Sequence, residues 1–330
     1  MKRIIIDCDP GNGVAGANVD DGLALALAIA SLNITLELIT IVAGNTPATV
    51  GYRVAHNLVK RLGLSIPVRM GATKGLKEPL EQWREVLDHN VDHLNLTHLW
   101  HGVPQPPNVT PPETEENAID AIGRLILNNP GEITLIGIGP LTNIAMAIQR
   151  YPKLVESVAE IAIMGGVFNV DNYLKDTNFG IDPEAAKIVL NSGANITIVP
   201  MDVTTQTMLT HESLERITKI DKPLTRYIYE TTRPWIDYSM KTRNLPGSWI
   251  HDALVVASLI DPRVATTKEY RMDIELRDGP TRGKCWRYCN PLRVSVGIDG
   301  SAGALVNMLQ SVDNQHLLNM IQQAFDASTI

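Results

Sequence analysis

A chain of 330 residues with 44% hydrophobic and 20% charged residues is long enough to bury a full sheet core and too apolar for intrinsic disorder. Its 29 basic and 36 acidic residues leave a net charge of −7. Without a Lys/Arg cluster the chain lacks the electrostatic footprint of a nucleic-acid binder, whereas a neutral small molecule remains a good partner. The apolar run at the start is three isoleucines before Asp7, too short for a signal peptide. The longest apolar stretch, residues 23–30, is far below the ~20 residues that span a bilayer, so no membrane role is expected. Cys8, Cys285 and Cys289 form no disulfide framework and fit a reducing cytoplasm; Cys285 and Cys289 lack the second ligand pair that zinc needs.

Along the chain, short β-branched runs alternate with turns and with stretches whose apolar residues recur at helical spacing, the pattern of parallel βαβ units. Strands are expected at residues 3–6, 36–43, 67–70, 133–138, 161–164 and 195–201, and helices at 24–31, 48–62, 115–127, 141–150 and 183–191. Asp182-Pro183 is an N-cap followed by proline at the first helical position, and Gly193 closes that helix. Residues 73–112, rich in proline and carrying four histidines, break the rhythm and read as a long loop. Beyond residue 210 the pattern predicts helices at 223–239 and 250–260, strands near 270–276 and 292–296, and a C-terminal helix. No linker or repeat interrupts it. The expected fold is a single α/β domain over residues 1–330, an open, mostly parallel sheet with helices on both faces and a helical C-terminal elaboration.

In such sheets ligands bind beyond the carboxyl ends of the strands. The first strand ends in Asp7-Cys8-Asp9-Pro10-Gly11, and the helix after it opens with Asp20-Asp21, four carboxylates around one βα loop. Crowded carboxylates raise one another's pKa unless a cation neutralises them, and oxygen ligands select a hard ion such as Ca²⁺ or Mg²⁺. The plainer alternative is that Asp20 and Asp21 cap a helix while Asp7 and Asp9 are strand-end residues. Small residues at Gly44-Asn45 and at Gly137-Ile138-Gly139-Pro140 let backbone carbonyls approach a ligand. Met164-Gly165-Gly166 precedes a loop with Asn169, Asn172, Asp176 and Asn178, either ligand contacts or turn chemistry. His251-Asp252 opens an apolar helix and offers a metal ligand beside a proton donor, or merely a cap beside a surface histidine. Gly11 and Gly16 lack the Gly-Lys-Ser/Thr that completes a phosphate loop, and His89 and His93 lack the zincin glutamate, so both patterns are set aside.

Taken together, these pieces resemble the inosine-uridine preferring nucleoside hydrolase family over nearly the whole chain. The likeness rests on Asp7-Cys8-Asp9-Pro10-Gly11 with Asp20-Asp21, Ala43-Gly44-Asn45, Gly139-Pro140-Leu141-Thr142-Asn143, Met164-Gly165-Gly166, Asn178 with Ile181-Asp182-Pro183-Glu184-Ala185-Ala186, and His251-Asp252. The resemblance implies Ca²⁺-dependent hydrolysis of the bond between ribose and nucleobase in nucleoside salvage, by a homodimer or homotetramer. It implies Asp9, Asp21, Asp252 and the backbone carbonyl of Ile138 as metal ligands, with Asp9 also taking the proton of the attacking water. It further implies Asp20, Asn45, Asn172, Asp176 and Asn178 at the ribose hydroxyls, and His251 and His101 near the base. The sequence departs from the family in three places: residues 12–19 are inserted before Asp20-Asp21, Asp176 replaces a glutamate, and the asparagine loop differs in length by one, which makes Asn169 an alternative to Asn172. Trp235, Tyr238 and Trp249 are candidates to stack on a base, or helix packing. Two rival readings are a haloacid dehalogenase-like phosphohydrolase, which wants Asp-Gly-Thr where the chain has Asp9-Pro10-Gly11, and a non-catalytic nucleoside-binding protein on the same fold.

Overall fold

The computed structural model describes residues 1–77, 81–289, 297, 299 and 301–330. Its strands are β1 (Lys2–Cys8), β2 (Ile34–Ile41), β3 (Val68–Met70), β4 (Ile133–Gly137), β5 (Glu160–Met164), β6 (Ile196–Val199), β7 (Ala265–Ile274), β8 (Cys285–Tyr288) and β9 (Ala304–Val312). The helices are α1 (Asp20–Ala30), α2 (Ala48–Arg61), α3 (Glu81–His93), α4 (Ala118–Leu127), α5 (Thr142–Arg150), α6 (Leu154–Ser157) and α7 (Thr177–Ile181). They continue as α8 (Pro183–Leu190), α9 (Met201–Thr204), α10 (His211–Ile217), α11 (Pro223–Arg243), α12 (Asp252–Ile260) and α13 (Asn314–Ala327). Among the described residues no helix is long and apolar enough to cross a membrane.

One sheet holds all nine strands in the order β3-β2-β1-β4-β5-β6-β9-β7-β8. The first seven in that order pair in parallel, and β7 runs antiparallel to both β9 and β8. Strands covered on both faces must be apolar throughout rather than alternating. In β1, Ile4 and Ile6 enter the core on one side of the sheet while Ile5 enters the core on the other. Helix α1, Asp-Asp-Gly followed by alternating leucine and alanine, is buried almost all round, as expected of a helix that is apolar on every face.

Chain order reverses between β2-β1 and β4-β5, so the carboxyl ends of β1 and β4 form the crevice where such sheets bind ligands. The register sets Asp7 opposite Thr40 on β2 and Gly137 on β4, so Asp9 emerges just past the sheet edge between the two neighbouring loops.

Three expectations need correction. Residues 73–112 contain the helix α3 and a short 3-10 turn at Thr97–Trp100, so His89 and His93 sit on a helix rather than in a loop. The sheet continues through β9 and β8, neither of which was anticipated. The strand expected near 270–276 is the longer β7, whereas the one at 292–296 lies outside the described residues.

Candidate active site

Four carboxylates converge in the crevice: Asp9 beyond β1, Asp20 and Asp21 in the first turn of α1, and Asp252 in the first turn of α12. All four are buried. The inserted residues 12–19 pack inward between α3 and α11, and Gly16, Ala17 and Asn18 join the wall of the cavity above the carboxylates. Asn12 donates from Nδ2 to Thr231 Oγ1 at 3.0 Å, the chain turns through Gly13 and Gly16 at φ +86° and +78°, and Val19 immediately precedes α1. Both turns use the left-handed conformation that glycine adopts without strain.

Asp7, counted with this group from the sequence, is a brace behind it. Its Oδ1 accepts from Thr40 Oγ1 at 2.6 Å and from Asn143 Nδ2 at 2.8 Å, tying β1 to β2 and α5, and burial pushes its carboxyl up to about 7. Asp9 is wedged between glycines: a Cβ at Gly44 or Gly139 would run into its carboxylate. Its Oδ2 accepts from Asn45 N, its own N–H donates to Asp21 Oδ1 at 2.9 Å, and Asn45 Nδ2 donates to Asp21 Oδ2 at 3.3 Å. On the far side, Asp20 Oδ2 accepts the backbone N–H groups of His251 at 3.1 Å and Asp252 at 3.3 Å.

The electrostatics are those of charges without compensation. Burial pushes Asp9 up to about 6, and burial followed by the neighbouring carboxylates pushes Asp21 and Asp252 well above the ordinary range. Asp9 Oδ1 and Asp20 Oδ1 are buried without any hydrogen-bond partner. A buried acceptor is normally satisfied, so two such oxygens among these neighbouring carboxylates call for a cation. One oxygen each from Asp20, Asp21 and Asp252 lies within 4.8 Å of the others, so this triad can hold a metal ion. Asp20, expected at the ribose, thus stands in this triad, whereas Asp9, expected as a ligand, lies next to it with its N–H on Asp21. The Ile138 carbonyl accepts from Asn178 Nδ2 at 3.0 Å, leaving one lone pair for a further interaction.

A cavity of about 370 Å³ opens above the carboxylates, with Asp20, Asn45, Ile138, Asp176, Asn178, His251 and Asp252 in its wall. Asp176 is spent largely on structure. Its Oδ1 accepts from Phe179 N at 3.0 Å as the N-cap of α7, and its Oδ2 accepts from Gly166 N at 2.9 Å. His251 Nδ1 is 2.6 Å from Thr204 Oγ1, which leaves Nε2 as the nitrogen for the cavity. Burial lowers its pKa, with Asp20 opposing the shift and Arg243 adding to it.

Two expected residues are not brought here. Asn172 adopts φ +67° in an exposed turn, and Asn169 is exposed as well; neither lines the cavity. His101 is exposed and lines a different pocket, with His98 and Arg233. The cavity wall is instead completed by residues that sequence reasoning passed over: Trp83, Leu87 and Asn90 of α3, Tyr173, Lys175 and Arg243. Trp83, Leu87 and Asn90 repeat at helical spacing, a signal that was present. Trp235, Tyr238 and Trp249 also border the cavity; the first two stack at 5.4 Å, and Arg243 lies over the rings of Trp235 and Trp249.

A deep crevice at the switch point of a parallel sheet, floored by buried carboxylates and walled by aromatic rings, defines a small-molecule enzyme site. The family model for inosine-uridine preferring nucleoside hydrolases matches residues 4–319, and the chain belongs to that family of ribonucleoside-cleaving glycosidases. It is 32% identical over 286 residues to the inosine-uridine preferring nucleoside hydrolase of Crithidia fasciculata, and 29% identical over 285 residues to a pyrimidine-specific ribonucleoside hydrolase of Escherichia coli, with 86% of each chain covered in both. Among solved structures, a plant nucleoside hydrolase superposes with TM-score 0.83 at 25% identity, covering 98% of both chains. A purine-preferring ribonucleoside hydrolase from Gardnerella vaginalis superposes with TM-score 0.79, also at 25% identity and 98% coverage. The phosphohydrolase reading is thereby excluded.

Proposed function

We propose that this enzyme is a Ca²⁺-dependent ribonucleoside hydrolase that releases ribose and a free nucleobase, and that it serves nucleoside salvage. The observation that carries the metal assignment is the pair of unpartnered buried oxygens, Asp9 Oδ1 and Asp20 Oδ1, beside Asp21 and Asp252. An all-oxygen donor set of carboxylates and the Ile138 carbonyl suits a hard, oxygen-seeking ion. When bound, the ion supplies Lewis acidity and a template for the ribose diol.

The chain's own residues do the rest. Asp9 takes the proton of the attacking water at Oδ1, while Asn45 holds Oδ2 in place. Asn45, Asp176 and Asn178 face the ribose hydroxyls from the cavity wall, beside Asp20 of the metal triad. As the base departs the ribose becomes oxocarbenium-like, and a carboxylate-rich floor is complementary to that positive charge. The aromatic wall and His251 receive the base, and His251, whose Nδ1 is engaged by Thr204, donates from Nε2 to the leaving nitrogen. Tested by chelation and dialysis, the protein should lose ribose release and regain it with calcium. Turnover that survives exhaustive chelation, or that zinc alone restores, would overturn the assignment.

A further inference from the structure

Helix α3 contributes a charged residue that none of the roles above uses. The Arg84 guanidinium is ion-paired to Asp88 at 3.0 Å, and its Nη2 donates to the carbonyl of Gly44. That carbonyl and the N–H of Asn45 belong to one peptide group, and this N–H donates to Asp9 Oδ2. A continuous line of donors therefore runs from guanidinium through peptide to carboxylate. A cationic donor on a peptide oxygen draws electron density from the nitrogen and makes its N–H a stronger donor, so bonds in series reinforce one another. The peptide is held close, because a Cβ at Gly44 would collide with Asp9 Oδ2 and Pro140. Anchoring Oδ2 in this way leaves Oδ1 as the oxygen without a partner.

We propose that Arg84 is a positioning residue for Asp9, acting through the peptide between Gly44 and Asn45. The role rests on the reading of Asp9 as the base of the hydrolytic reaction. It also links α3, whose Trp83 and Leu87 line the cavity, to the Asp9 carboxylate. A residue that merely docks α3 would affect substrate binding and leave the peptide unpolarised.

The experiment compares full-length Arg84→Met, Arg84→Lys and Arg84→Ala with the wild type. Steady-state kinetics use calcium-loaded protein and a nucleoside that the wild type hydrolyses; the amide resonance of Asn45 is followed in chelated protein. In Arg84→Met, kcat falls about tenfold to a hundredfold while KM stays within about threefold, as expected for loss of one charge-assisted bond acting on the reacting state. The Asn45 amide proton moves upfield. Arg84→Lys is intermediate in both readouts, and dilute guanidinium restores part of the Arg84→Ala rate together with the Asn45 shift. A rise in KM at constant kcat, an Asn45 resonance that does not move, a moved resonance at unchanged kcat, or no guanidinium rescue would each overturn the proposal. If the wild type hydrolyses no nucleoside, the functional reading fails, and the Asn45 resonance still decides whether Arg84 polarises the peptide.

Discussion

Replacing Asp9 by asparagine should move activity and stability in opposite directions. The side chains are nearly isosteric, and the carboxamide oxygen can still accept from Asn45 N, so the fold has no steric reason to change. Activity loses the proton acceptor and a full negative charge. General-base catalysis is worth about two to four orders of magnitude, on the order of 3–5 kcal/mol of barrier. Stability gains because a buried charge is removed. Burial pushes the carboxyl up to about 6, against ~3.9 in the unfolded chain. A gap of about two units at ~1.4 kcal/mol each means that ionised Asp9 costs the metal-free fold roughly 3 kcal/mol. Because the folded pKa lies above the unfolded one, the penalty is absent below pH ~4, grows between about 4 and 6, and is complete above that. Chelated Asp9→Asn should therefore unfold at higher denaturant than chelated wild type at pH 8 and equally at pH 4, and calcium should narrow the difference at pH 8. Urea titrations of both proteins with chelator or calcium, paired with ribose-release kinetics, measure both effects. A variant that keeps a tenth of the wild-type rate would remove Asp9 as the base, and one less stable than chelated wild type at pH 8 would show that its buried charge carries no penalty.

His251→Ala separates leaving-group protonation from packing: ordinary nucleosides should slow by about a hundredfold or more, whereas a p-nitrophenyl riboside, whose leaving group departs as a stable anion, should hardly change. Equal losses on both substrates would make His251 structural. Asp182 caps α8 through Ala185 N and also accepts from Thr142 Oγ1 at 2.7 Å and Leu76 N at 2.9 Å, so Asp182→Ala should cost about 2–4 kcal/mol in a denaturant titration, and a loss below 1 would contradict its role as a junction.

The parallel half of the sheet was legible because its strands are buried on both faces, which forces unbroken apolar runs such as Ile4-Ile5-Ile6. The same logic exposed Asp9, Asp20 and Asp21, since carboxylates next to such runs are conspicuous. Strand β9 was illegible for the opposite reason: Asn307, Gln310 and Ser311 interrupt its apolar pattern, and its pairing with β6 is made in three dimensions. Helix α3 hid among prolines because its contacts are tertiary; Val91 fills the space over Gly16, and Trp83 packs against Gly180. Loop residues fared worst. Asn172 and His101 had suitable chemistry, but only the path of the backbone decides which side chains reach a cavity, and here it delivers Tyr173 and Lys175 instead. Asp176 illustrates a subtler limit, because its carboxylate lines the cavity while both oxygens already hold backbone N–H groups.

Hydrolysis itself is tested by offering the calcium-loaded protein a panel of purine and pyrimidine ribonucleosides and measuring reducing sugar and free base together. A hydrolase releases equimolar ribose and base from at least one member. Nucleosides that bind but are recovered intact across the whole panel would contradict hydrolysis and leave a binding protein on a hydrolase fold.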